Sequence, residues 1–214
     1  MTEAAKARTR LVLVTPPVED AVTFAPLLEA CCREGDIAAV ILSLATDDEV
    51  MALSAIRIVA THLQSSGAAL LLTNMPALVE AAGADGAHFS NLDQLQTTRT
   101  NLAAGKLSGV GGLPSRHDAM VASESGADYV MFGEPDVSGK RPGFSALVER
   151  ISWWAEIFQL PCVAFAGSID EVSRLAGARA DFVALGDAVW SAGENAPQAV
   201  AKATKLIRLP ELAN

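Results

Sequence analysis

Short apolar runs alternate along the chain with longer stretches whose apolar residues recur every three to four positions. The runs are Leu11–Thr15, Ala38–Ser43, Ala68–Leu72, Gly86–Phe89, Leu107–Gly111, Tyr129–Gly133, Cys162–Ala166 and Phe182–Leu185. Continuous apolarity over four to six residues is the mark of a strand covered on both faces, as in a parallel sheet. The stretches between, such as Asp47–Gln64 and Phe144–Phe158, carry the period of an amphipathic helix. Asp47 and Asp170 stand where an acid favours a helix N-terminus. The tail from Pro197 to Ile207 is expected to be the eighth helix.

Three of the expected strands are entered through related turns. Gly83-Ala84-Asp85, Gly126-Ala127-Asp128 and Gly177-Ala178-Arg179-Ala180-Asp181 each close a helical stretch and lead into an apolar run. The spacing, roughly forty to fifty residues, is that of two strand-plus-helix units. Each glycine is expected to end its helix with positive φ. Eight such units predict the α/β class and a single (β/α)8 TIM barrel spanning residues 1–214 as one domain.

In such a barrel, function lies at the C-terminal ends of the strands. The segments expected there are Thr15-Pro16, Ser43 to Asp48, Thr73-Asn74, Ser90 to Asp93, Gly111-Gly112, the Glu134 to Arg141 loop, Gly167-Ser168 and Gly186-Asp187. The longest irregular stretch, Gly133 to Gly143, is therefore a functional candidate. Gly167 and Gly186 follow the seventh and eighth strands, where barrels commonly bind a phosphate on backbone N–H groups.

Composition narrows the partners. Half of the 214 residues are apolar, enough for one large core. The longest nearly apolar run, Ala38 to Ala45, is too short to cross a bilayer, and Leu11–Val14 is not a signal-peptide core. A cytoplasmic protein is expected. Sixteen basic residues stand against 25 acidic ones, a formal charge of −9, which opposes nucleic acid and anionic membranes. Cys31, Cys32 and Cys162 form neither a disulfide framework nor a metal-ligand spacing. Trp153 and Trp154 must face different directions on a helix, which keeps a homo-oligomer open.

At Gly83-Ala84-Asp85-Gly86-Ala87-His88-Phe89-Ser90-Asn91-Leu92-Asp93 the sequence resembles the thiamine phosphate synthase pattern G-A-D-G-V-H-L-G-Q-x-D. Ser115 to Met120 and Gly126 to Gly133 resemble the fifth helix and sixth strand of that family, which sits beside thiazole tautomerases of the same fold. The similarity in order and spacing covers roughly Ala68 to Val189. It implies a (β/α)8 barrel that joins a pyrimidine methyl diphosphate to a thiazole phosphate and expels pyrophosphate with Mg²⁺. Asp93 then matches the metal ligand, and Asn74 the asparagine at the pyrimidine. Ser138 stands for a threonine hydroxyl, and Lys140 or Arg141 for the lysine, of the loop after the sixth strand. Gly167, Ser168 and Gly186 would hold the thiazole phosphate.

Several family positions differ. The aspartate that follows the family's asparagine is Met75, a poor ligand for a hard cation. The Gln-x-Arg-x-Lys grip on the diphosphate falls in the region Ile41 to Asp48, where both cations are gone and two acids, Asp47 and Asp48, stand near their place. Ser-x-His after the fifth strand falls on Gly111-Gly112-Leu113, and a phosphate-side serine on Asp187. Two unit charges about 4 Å apart interact by roughly 4 kcal/mol at an effective dielectric near 20, so these changes are expected to weaken diphosphate binding greatly. The expectation is a synthase-like enzyme with a depleted site that takes a small phosphorylated heterocycle. Its alternatives are a barrel that binds or isomerises one such heterocycle, with His88, His117 or carboxylates as acid and base, and a non-catalytic scaffold. Glu134, Asp136 and Asp187 would form a cation site with Asp93 if their side chains converge.

Overall fold

The computed structural model describes residues 8–136 and 138–208. Eight parallel strands follow one another in chain order and close into a barrel: β1 (Arg10–Val18), β2 (Ile37–Leu44), β3 (Ala69–Thr73), β4 (Gly86–Phe89), β5 (Leu107–Val110), β6 (Tyr129–Phe132), β7 (Cys162–Ala166) and β8 (Phe182–Leu185). The helices outside are α1 (Ala21–Glu34), α2 (Glu49–Leu63), α3 (Val79–Ala82), α4 (Leu92–Thr98), α5 (Arg116–Glu124), α6 (Phe144–Ile157), α7 (Val172–Gly177), α8 (Asp187–Trp190) and α9 (Ala196–Arg208). Short 3₁₀ turns extend several of them.

Strand alternation splits the apolar residues into two cores. Val12, Ile41, Leu71, Met131, Val163 and Ala184 fill the barrel with Tyr129. Their strand neighbours, among them Leu11, Leu13, Val40, Leu42, Leu70, Leu72, Val130 and Phe132, pack outward against the helices. Both faces are apolar, so the runs look continuous in sequence although the strand period is two.

The three related turns fasten the base of the barrel. Gly83 and Gly126 take positive φ, at 71° and 86°, as expected. In the third copy Gly177 is instead the last residue of α7, and Arg179 is left-handed at φ 71°. Counted back from the aspartate, Arg179 occupies the place of Gly83 and Gly126. Each aspartate then clamps one residue of the preceding strand at two points. Asp85 donates its N–H to the Leu70 carbonyl and accepts the Leu70 N–H on Oδ2, both at 2.8 Å. Asp128 does the same at Ser108, at 2.6 and 2.7 Å, and Asp181 at Cys162, at 3.1 and 2.9 Å.

Local capping explains several helix starts. Asp20, Asn91 and Ser115 cap α1, α4 and α5, and Ser115 forms a reciprocal capping box with Asp118. Asp48, not Asp47, caps α2 through the N–H groups of Val50 and Met51. Asp170 lies in a 3₁₀ turn and pairs with Lys202 at 2.9 Å. The tail helix is the ninth rather than the eighth, because α8 begins directly at the end of β8. Strand β1 outruns its expected end: beyond an irregularity after Val14, Pro17 pairs with Ser43 and Val18 with Leu44. A bulge lets the chain carry prolines there, which the apolar pattern alone does not reveal.

Neither tryptophan of α6 is left bare. Trp154 is buried and donates its indole N–H to the Leu160 carbonyl at 2.8 Å. Trp153 lies under the Arg116 guanidinium, 4.4 Å from the ring centre. Among the described residues, no helix is long and apolar enough to cross a membrane.

Candidate active site at the barrel mouth

A cavity of about 320 Å³ opens at the C-terminal ends of the strands. Val14, Ile41, Met131 and Phe165 supply its apolar wall, and Thr15, Ser43, Thr73, His88, Ser90, Glu134 and Asp187 its polar one. It adjoins a cavity of about 550 Å³ beside β2 and β3, lined by Asp47, Glu49, Asn74 and Met75 among others. A third, of about 340 Å³, lies under the loop after β6, with Asp136, Lys140, Arg141 and Arg150 in its lining.

Hydroxyls tie the first three strand ends together. The Ser43 N–H donates to Thr15 Oγ1 at 3.0 Å, and Ser43 Oγ lies 2.9 Å from Thr73 Oγ1. Asn74 follows at φ 56°, a strained conformation for a residue other than glycine. Its side chain spans to Ser90, donating Nδ2–H to Ser90 Oγ and accepting the Ser90 N–H on Oδ1, both at 2.9 Å. Its own N–H donates to the His88 carbonyl at 2.9 Å. The amide thus joins the ends of β3 and β4.

His88 and Tyr129 form a buried pair inside the barrel. Nδ1 of His88 is 2.8 Å from the Tyr129 hydroxyl, and the rings stack at 5.8 Å. Burial holds the imidazole in its neutral form, with the pKa down to about 4, and pushes the phenol up. Tyr129 begins β6 at the base, yet its ring fills the barrel axis and its hydroxyl reaches the histidine beneath the mouth. Gly109 makes that possible, since a Cβ there would overlap the tyrosine ring. His117, by contrast, is exposed on α5.

Glu134 is set into the mouth beside His88. Its Oε1 accepts the Gly112 N–H at 3.2 Å. A Cβ on Gly111 would overlap that oxygen and come within 3.2 Å of Nε2 of His88. Burial raises the Glu134 carboxyl above the usual range. The pattern of the sequence placed Glu134 in a loop and offered no sign of this packing, except that two glycines stand opposite it.

The loop after β6 holds its side chains differently from the expectation. Asp136 caps a tight turn, accepting the Ser138 hydroxyl and N–H and the Lys140 N–H on Oδ1. The Ser138 hydroxyl bond, foremost, lowers the Asp136 carboxyl below its ordinary value. Lys140 is exposed. Arg141 is held by four hydrogen bonds: Nε–H donates to the Gly133 carbonyl at 2.9 Å, an Nη2–H to the Phe165 carbonyl at 2.8 Å, and both Nη groups to Glu171 at 3.3 and 3.1 Å. Glu171 also accepts the Gly167 N–H at 2.7 Å. The backbone donor expected to face a phosphate after β7 is thus already satisfied by a carboxylate. Ser168 is exposed beside it, and Gly186 is buried against the Phe165 ring.

Asn74, Asp93, Lys140 and Ser168 all follow strand C-termini, as a closed parallel barrel requires. They are not brought together as a cation site. Asp93 is exposed in the first turn of α4, Asn74 has both amide atoms engaged with Ser90, and Met75 offers a thioether. Among the described residues no three His, Cys, Asp or Glu side chains converge as metal ligands, so Glu134, Asp136, Asp187 and Asp93 do not form the set that convergence would have given.

The chain is thus a closed (β/α)8 barrel with a cavity of mixed apolar and polar lining at its strand C-termini. Residues 11–189 match the family model described as thiamine monophosphate synthase. The chain is 37% identical to the thiamine-phosphate synthase of Rhodospirillum centenum over 93% of its own length and 98% of that protein. It is 34% identical to that of Hyphomonas neptunium, over 95% and 96%. The thiamine phosphate pyrophosphorylase of Pyrococcus furiosus shares the fold, with a TM-score of 0.74 at 17% identity, covering 93% of this chain and 95% of that one. The chain belongs to the thiamine monophosphate synthase family.

Proposed function

We propose that this barrel is a thiamine-phosphate-synthase-type transferase, taking a small phosphorylated heterocycle at its mouth and joining a pyrimidine methyl diphosphate to a thiazole phosphate. The observation that carries the reading is the 37% identity to a thiamine-phosphate synthase across nearly the whole of both chains. The mouth cavity has the size and mixed lining suited to a heteroaromatic ring. Asn74 would bound the ring at β3 and β4, and Lys140 is the exposed cation that can meet a phosphate group. Arg141 would shape the loop rather than grip the ligand, because four of its five N–H donors are engaged by Gly133, Phe165 and Glu171. A Mg²⁺ ion brought in on the diphosphate would meet Asp93 in the first turn of α4, the carboxylate that the resemblance gives to the metal. The three cysteines are buried thiols, which suits work in the reducing cytoplasm.

A second reading follows from the acids. Two acids, Asp47 and Asp48, follow β2 near the place where the resemblance puts the diphosphate-gripping cations. On that reading the mouth binds or isomerises one heterocycle phosphate without coupling two. Formation of thiamine phosphate from both substrates, with Mg²⁺ and again with EDTA, separates them. Turnover supports the transferase. Its absence at saturating substrate, with one heterocycle phosphate still binding in a calorimeter, supports the second reading.

A further inference from the structure

Gly167, Arg141 and Glu171 together build a complete anion seat after β7, and the anion in it belongs to the chain itself. Oε2 of Glu171 accepts the Gly167 N–H at 2.7 Å and an Arg141 Nη2–H at 3.1 Å, and Oε1 accepts an Nη1–H at 3.3 Å. A backbone N–H beside a guanidinium fork is a donor set that suits carboxylate and phosphoryl groups alike. The guanidinium lies directly over Gly167, where an added Cβ would overlap Nη1. Gly167 and Ser168 are exposed, so the seat opens to solvent at the strand C-termini.

The donors are held in place independently of Glu171. Arg141 is pinned to backbone through the Gly133 carbonyl at 2.9 Å and the Phe165 carbonyl at 2.8 Å. The carboxylate is the part able to leave: it ends the 3₁₀ turn Ile169–Glu171, and among the described residues its side-chain bonds all lie within the seat. Rotation of that one side chain would empty the seat and leave its N–H groups aimed at one point. Two other acids border this end of the mouth, Asp170, paired with Lys202 at 2.9 Å, and Asp187 at the start of α8. Both add to the negative charge that an incoming anion meets, which a fixed guanidinium offsets.

We propose that Glu171 is an internal counter-anion that holds this seat closed, and that one phosphoryl group of a ligand binds by exchanging with it. The inference deepens the proposed function and rests on it for the phosphorylated ligand. Arg141 shapes the loop while Glu171 is seated, and offers both Nη groups to the ligand once Glu171 has left. A guanidinium three-quarters buried is costly to leave without an anion, so the seat is filled in either state. The affinity of the ligand is reduced by the fraction of chains in which Glu171 occupies its place.

The test titrates the whole chain with inorganic phosphate and, in parallel, pyrophosphate, following the amide NMR signal of Gly167. Glu171→Gln removes the competing charge and is expected to bind phosphate about tenfold more tightly than wild type, the worth of one charge-assisted hydrogen bond. Asp170→Asn removes an equal charge from the same turn and should change the affinity by less than about twofold, because an exposed charge is screened. Arg141→Gln added to Glu171→Gln should cancel the gain. Thermal unfolding identifies a variant that fails to fold; Glu171→Ala then replaces the glutamine variant, and Arg141→Lys, which lacks the fork, replaces the arginine one. A gain no larger than that of Asp170→Asn overturns the proposal, as does a gain that survives the loss of Arg141 or one confined to pyrophosphate. Turnover to thiamine phosphate by wild type without the gain in Glu171→Gln refutes this inference and leaves the transferase standing. The gain without turnover does the reverse.

Discussion

Gly109 and Gly111 illustrate how a single position can be legible in kind and illegible in purpose. In sequence, Gly111 looks like the loss of a serine hydroxyl; in the folded barrel it is room for Glu134, which follows the next strand. Gly109 gives the same service to Tyr129. A Gly109→Ala variant should lose about 1–3 kcal/mol in urea unfolding, the usual cost of overpacking a filled interior. His88 adds a pH signature. Its folded pKa, about 4, lies below the 6.5 of an unperturbed histidine, so the unfolded chain binds a proton that the folded one resists. The stability this confers is full above about pH 6.5 and is lost as pH falls toward 4, by up to roughly 3 kcal/mol. Glu134, shifted upward, acts with the opposite sign, favouring the folded state at low pH. The contribution of His88 is therefore read as the difference between wild type and His88→Asn: unfolding free energies measured at pH 7 and pH 4.5 should converge at the lower pH.

At the scale of elements, the long segment after β6 was recognisable as a functional candidate from its length and position alone. Which of its two cations is free was not, because two of the three partners of Arg141, Phe165 and Glu171, lie on or after β7, 24 and 30 residues away, and become neighbours only when the barrel closes. Arg141 and Glu171 staple the β6 loop to the β7 loop, with both side chains three-quarters buried or more. Removing one partner strands the other charge with incomplete solvation. Arg141→Gln should lower stability by about 1–3 kcal/mol, a figure held below that of a fully buried pair by the remaining exposure, whereas Lys140→Gln should stay within about 0.5 kcal/mol. Chemical denaturation of the two single variants checks this. Equal, small effects would mean that the staple adds nothing beyond the packing around it, and would return Arg141 to the set of cations available to a ligand.

For the whole molecule, the strand order and single-barrel architecture were written in the alternation of apolar runs and helical periods, because β4, β7 and β8 coincide with runs visible in the sequence. What the pattern could not display was why the same Ala-Asp step recurs. Asp85, Asp128 and Asp181 each bind the N–H and C=O of one residue in β3, β5 or β7 while leading the chain into the next strand. They fix neighbouring strands at the base, the end away from the mouth. Replacing any one with alanine leaves a strand N–H without its side-chain acceptor, at a cost of about 1–3 kcal/mol for each clamp. At Asp128 the Ser108 hydroxyl loses an acceptor too, its bond to the carboxylate being 3.0 Å. The three variants should therefore unfold at lower denaturant concentration while thiamine phosphate formation per folded molecule stays as in wild type, since parallel strands set base and mouth at opposite ends. Lost turnover at full stability would show that the clamps control the geometry of the mouth as well as the closure of the barrel.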